Sequence, residues 1–160
     1  MIFVTIGSMF PFDRLTRAMD AIAGEMRGET FFAQIGDGGY QPSNMDFTPM
    51  LDRRAFDEKI GAARLVVAHA GMGSVITAME RRKPIIIFPR RVAHGEVTTD
   101  HQLATAEWLK AKPGIRVALE ESDLRDAVRD GLAAGQAPDI MPSTAPRDFL
   151  DKIKNFISAA

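Results

Sequence analysis

Short apolar runs, rich in β-branched residues, alternate along the chain with segments whose apolar residues recur every three or four positions. That alternation predicts strands separated by amphipathic helices. Ile2 to Ile6 is the first run and stops at Gly7-Ser8. From Phe12 onward Leu15, Ala18, Met19, Ile22 and Met26 follow at helical spacing, with Asp13 in the first turn, where negative charge suits the helix dipole. Thr30 to Ile35 predicts a second strand, and Gly36-Asp37-Gly38-Gly39 a loop, since so many glycines weaken either regular structure. A short strand interrupted by Pro49 is expected within Phe47 to Leu51, then a helix over Arg54 to Ala63 built around Phe56 and Ile60.

The second half repeats the pattern. Leu65 to Ala68 reads as a buried strand, followed by the turn His69-Ala70-Gly71-Met72-Gly73-Ser74 and a helix with Val75, Ile76 and Met79 on its apolar stripe. Pro84 to Phe88 is another strand, closed by Pro89, and Arg90 to Thr98 a loop. Thr99 or Asp100 then caps a helix carrying Leu103, Ala106 and Leu109. Ile115 to Leu119 makes the last strand, and Ser122 caps a helix marked by Leu124, Val128 and Leu132 that ends at Gly135. Beyond a linker over Gln136 to Ser143, Thr144 caps a final helix, about 145–158, with Phe149, Ile153, Phe156 and Ile157 on one face; it packs back on the core or docks a partner. Strands that are apolar throughout and alternate with helices imply an α/β, Rossmann-like parallel sheet covered on both faces, with ligands at the carboxyl ends of its strands.

Length and composition narrow this further. At 160 residues, the chain suits one domain, 1–160, with a sizeable core. A formal charge of −1 provides no field to recruit a polyanion, so nucleic acid is not expected as a partner. The lack of cysteine removes disulfides, thiolate metal sites and a cysteine nucleophile, and suits the cytoplasm. MIFVTIGS reads as a strand rather than a signal peptide, and no apolar run approaches the ~20 residues of a spanning helix.

The glycine turn holds the most suggestive chemistry. Gly71 and Gly73, without Cβ atoms, let a phosphate reach the backbone; the free N–H groups of the following helix favour negative charge, and Ser74 adds a hydroxyl. The same glycines equally serve a plain tight turn, and spacing alone leaves the two readings even. A nicotinamide fingerprint would need glycine where Ile76 stands, and the phosphate loop of ATPases would need a Gly-Lys-Ser or Gly-Lys-Thr that the chain lacks. Asp100, His101 and Gln102 emerge on the same sheet edge, as sugar or phosphate contacts or as a cap and a solvated first turn. Arg90 and Arg91 either neutralise a diphosphate or begin an exposed loop. His69 is a candidate base or a satisfied structural histidine. His69, His94 and His101 lack the spacing of a zinc site, so no metal is expected.

VTIGS followed by PFDRL, then AQIGDGGY, VVAHAGMGSVITAMERRKPIIIFPRR and HGEVTTDHQLATAEWL, together resemble the glycosyltransferase family 28 carboxyl-terminal domain. Within that family the likeness is to single-domain exopolysaccharide transferase subunits of the PssE type, akin to the soluble subunit of the eukaryotic dolichol-linked N-acetylglucosaminyltransferase. The resemblance implies one lobe of the GT-B fold that binds a UDP-sugar donor and requires no cofactor. It also implies a membrane-anchored partner that holds a lipid-linked acceptor and recruits the chain to the inner face of the plasma membrane. By motif, Gly71, Met72, Gly73 and Ser74 would hold the diphosphate, with His69 and Arg90 beside them. His101 and Gln102 would contact donor sugar or phosphate, and Gly7 and Ser8 would line the cleft. Thr77 stands where many relatives carry a glutamate that grips the ribose hydroxyls.

The expected activity is inverting, metal-independent hexosyl transfer in exopolysaccharide biosynthesis, weak or absent in the isolated chain, with the general base in this chain or in the partner. A non-catalytic nucleotide-sugar-binding module and a UDP-sugar epimerase-like protein are the alternatives. A homodimer is compatible with the chain.

Overall fold

The structure, a computed structural model, describes residues 1–138. In chain order its elements are β1 (Ile2–Thr5), α1 (Asp13–Glu25), β2 (Phe31–Gln34), β3 (Asp46–Thr48), α2 (Arg53–Ala62) and β4 (Leu65–His69). They continue with α3 (Met72–Glu80), β5 (Ile85–Phe88), a 3-10 turn (Val92–His94), α4 (His101–Leu109), β6 (Ile115–Val117) and α5 (Glu121–Ala133). The strands form one six-stranded sheet in the order β3-β2-β1-β4-β5-β6, every neighbouring pair parallel. This is the doubly wound arrangement expected of apolar strands alternating with helices.

Because successive side chains on a strand point to opposite faces, each central strand feeds two apolar layers. Ile2, Val4, Leu65, Val67, Ile86 and Phe88 pack against Leu15, Met19 and Ile22 of α1 and Leu124 and Val128 of α5. Phe3, Val66, Ala68, Ile85 and Ile87 face Ile60 of α2, Val75, Ala78 and Met79 of α3, and Ala106 and Leu109 of α4. The two sets cover both faces of the sheet and leave its carboxyl edge to loops.

Several boundaries differ from the sequence expectation, each for a local reason. The short strand lies at Asp46–Thr48 rather than toward Leu51, because Pro49 has no amide to continue the ladder; its carbonyl instead accepts from Gly36 N (2.8 Å). The last strand stops at Val117, since Leu119 N turns to Asp123 Oδ2 (3.2 Å). Ser122 is not the cap of α5: Glu120 and Asp123, three residues apart, form a reciprocal capping box and place Ser122 in the first turn. Ile76 faces outward, 39% exposed, and Val75, Ala78 and Met79 make the buried stripe of α3. Asp100 occupies the N-cap position of α4, but its carboxylate accepts from Val92 N (2.9 Å) and not from the helix. The final helix expected over 145–158 lies outside the described residues.

Candidate nucleotide-binding cleft

The sheet order reverses between β1 and β4, whose connections part to opposite faces, α1 on one and α3 on the other. A doubly wound sheet opens a crevice at such a point. Here the crevice is a cleft of roughly 600 Å³. Of the candidate residues named above, Gly7, Ser8, His69, Gly71, Gly73, Ser74, Thr77, Arg90, His101 and Gln102 line it, whereas Met72, although in the same turn, does not.

The head of α3 opens into this cleft. Gly71 donates its own amide to the His69 carbonyl (2.8 Å), and its carbonyl accepts the first helical bond from Val75 (3.3 Å). That leaves the amides of Met72, Gly73 and Ser74 without intrahelical acceptors, and the N-cap side supplies none, because Gly71 has no side chain to cap them. Among the described residues, a Cβ at Gly73 would meet nothing within 4 Å, so the backbone there is open to a ligand. Ser74 is buried at the cleft floor. Thr77 turns its hydroxyl back to donate to the Gly73 carbonyl (2.9 Å), so toward the cleft its oxygen is an acceptor only.

His69 fills the gap between the two connections. A Cβ on Gly7 would lie 2.5 Å from its Cε1, and one on Gly71 would lie 2.1 Å from its Nε2. Both glycines are therefore required by the ring that they flank, and Gly7 also needs its freedom for a left-handed φ of 80°. Among the described residues, the Nδ1 of His69 is buried without a hydrogen bond. Burial, helped by the charge of Arg90 and opposed by the Thr5 backbone, lowers the imidazole to about 4, so the ring is neutral at physiological pH.

Arg90 is not the exposed start of a loop. It is 2% exposed, and its Nη2 donates to the carbonyls of Ile6 (2.7 Å) and Phe10 (2.5 Å), which ties the β1–α1 connection to the end of β5. Burial lowers its guanidinium to about 10, against the pull of Glu96, and it stays charged. Its Nε has no hydrogen-bond partner among the described residues. Gln102 is likewise no solvated first-turn residue; it is 5% exposed and its Oε1 accepts from Arg90 N (3.0 Å). His101 is exposed at the cleft rim, its Nδ1 2.8 Å from Thr99 Oγ1. Arg91 points away to Glu120 (2.9 Å) and the Leu119 carbonyl (2.6 Å).

The model of the glycosyltransferase family 28 C-terminal domain matches residues 1–157. The chain belongs to that family. Its fold is that of one lobe of the GT-B glycosyltransferases. The glycotransferase of kitacinnamycin superposes with a TM-score of 0.63 at 19% identity, over 83% of this chain and 34% of that one. MurG of Acinetobacter baumannii gives 0.59 at 15%, over 80% and 40%. Os79 from O. sativa, solved with U2F and trichothecene, gives 0.60 at 14%, over 81% and 31%. The chain thus spans between about a third and two fifths of the length of these relatives. No curated protein matches it.

This family 28 domain has a second cleft wall that the sequence did not announce, made by Met50, Leu51, Asp52, Arg53 and Phe56 between β3 and α2. Gln34 holds that wall to the rest. Its Nε2 donates to the Gly7 carbonyl (2.9 Å) and its Oε1 accepts from Leu51 N (3.3 Å). A polar residue at the end of an otherwise apolar strand was the one available signal. Asp52 caps α2 by accepting from Ala55 N (2.8 Å).

Proposed function

We propose that this cleft holds a UDP-sugar and that the chain is the donor-binding subunit of an inverting, metal-independent hexosyltransferase. The observation that carries the reading is the uncapped head of α3, whose free amides at Met72, Gly73 and Ser74 sit beside an unobstructed Gly73 in an open cleft. Such amides, with the helix dipole behind them, suit a diphosphate in the ground state and suit it better as it departs with an added negative charge. In the transfer, the acceptor hydroxyl loses its proton to a base and its oxygen bonds the anomeric carbon. The bond from that carbon to the diphosphate breaks, and its electron pair leaves with UDP.

His69 is neutral but wedged between two glycines, which suits a wall rather than a mobile base. The base is therefore assigned to a second chain, which would also hold the lipid end of the acceptor. That chain would be membrane-anchored, act in exopolysaccharide synthesis and bring this one to the inner face of the membrane; no described helix here is long and apolar enough to cross one.

Gly73→Asp tests the central claim. A Cβ fits at 73, and a carboxylate in the first turn favours the helix, so thermal stability is expected to hold. Calorimetric affinity for UDP should fall at least ~100-fold, about 2.7 kcal/mol, through repulsion at the phosphates. Unchanged affinity would overturn the reading. A second reading, a binding module without catalysis, draws on Thr77, whose hydroxyl is already committed to Gly73. Sugar transfer by the chain together with its membrane partner would exclude it.

A further inference from the structure

A second concavity on the carboxyl edge lies across the β1–α1 connection from the cleft, over the α1 and α5 side of the sheet. It encloses about 580 Å³, and Phe10 lines both spaces. Its wall is rigidly built. Arg14 meets Glu96 through Nε to Oε1 (2.7 Å) and Nη2 to Oε2 (2.9 Å), Nη2 also donates to the Pro89 carbonyl (3.0 Å), and the guanidinium lies 4.2 Å from the centre of the Phe88 ring. Among the described residues its Nη1 is buried without a hydrogen bond, with Glu121 at 3.6 Å. Arg17 and His94 stand exposed on the rim.

The charges here decide what could bind. Arg14 and Arg17 share the lining with Asp13, Glu96 and Glu121, and the Arg17 guanidinium lies over the Tyr40 ring (4.2 Å), so no positive field draws an anion. Glu96 accepts from Arg14 and from Arg91 N (2.9 Å), so it is not free to ligate a cation. What remains is an interspersed set of donors and acceptors beside the half-exposed ring of Phe10. Hydroxyl groups both donate and accept, and the C–H face of a pyranose packs on an aromatic ring.

From this we infer that the second pocket binds a neutral sugar ring. Its place across Phe10 from the cleft makes that ring part of the acceptor, a role that rests on the donor reading of the first cleft, whereas sugar binding itself does not. The enzyme would then collect donor and acceptor sugars on two sides of one loop, before the second chain adds its own contacts.

Amide chemical shifts of the whole chain test this, with UDP and the methyl glycosides of glucose, galactose and N-acetylglucosamine titrated separately. At least one glycoside at tens of millimolar is expected to move Phe10, His94, Gly95 and Glu121 in a saturable way, while UDP moves Gly73 and Ser74. Arg17→Ala and Glu121→Gln, both at exposed positions, should weaken the glycoside about tenfold or more and leave UDP unchanged. No shift around His94 and Glu121 with any glycoside, or the same shifts produced by inorganic phosphate, would overturn the inference. Should UDP fail to move Gly73 while a glycoside still moves His94 and Glu121, the sugar site stands and the donor reading falls.

Discussion

At the residue scale, the ring of His69 is the part on which the cleft is assembled, since it occupies the space that two absent Cβ atoms leave. Gly71→Ala should cost about 1–3 kcal/mol by overpacking against that ring. His69→Ala should itself destabilise by leaving a gap, yet the two substitutions together should cost less than their sum; a double-mutant cycle in urea measures the coupling. The same ring sets a pH response. Its folded pKa of about 4 lies below the usual 6.5, so the unfolded chain binds the proton more readily. Stability is then complete above about pH 6.5 and is lost progressively as pH falls toward 4, by up to about 3 kcal/mol. Denaturant titrations of His69→Gln should show a flatter profile across that window. The turn from His69 to Ser74 was legible because glycines after a buried strand carry a backbone meaning. Arg90 and Gln102 were visible as polar residues, but their burial was not, because their partners at Ile6, Phe10 and the Arg90 amide come from across the fold.

Elements were read well where periodicity was strong and less well where one polar side chain sets an end. The central strands and the stripes of α1 and α5 follow directly from apolar spacing. The cap of α5 did not, since serine at 122 competes in the sequence with an acidic pair that bonds reciprocally in the fold. The irregular stretch between β2 and β3 has a similar hidden organiser. Asp20, buried on α1, accepts from the Tyr40 hydroxyl (2.6 Å) and from the amides of Ser43 (3.1 Å) and Asn44 (2.7 Å). Burial pushes its carboxyl up, but the bonds from Tyr40, Asn44 and Ser43 outweigh this and hold it below its ordinary value. The helical period of α1 places this aspartate on the buried side, but its partners lie 20 to 24 positions away in a stretch with no periodicity to point back to it. Asp20→Asn, which loses acceptor capacity, should cost about 1–3 kcal/mol. Hydrogen exchange should show faster opening around Tyr40 to Asn44, while the central strands keep their protection.

For the molecule as a whole, the alternation of strand and helix was enough to give the sheet and the edge where a ligand belongs, but not the second wall of the cleft, whose residues share no motif with the glycine turn. If the cleft takes UDP, the nucleotide at a hundred times its dissociation constant should stabilise the fold by about 2.7 kcal/mol, seen as a rise in melting temperature that Gly73→Asp abolishes. The position of Gln34 bears on how that affinity arises. One amide group fastens both rims, at Gly7 and at Leu51, so the protein's own bonds set the distance between them. Truncating this side chain would remove none of the groups assigned to the phosphates, yet the nucleotide would first have to arrest two loosened rims, and calorimetry would register the penalty as entropy with little change in heat.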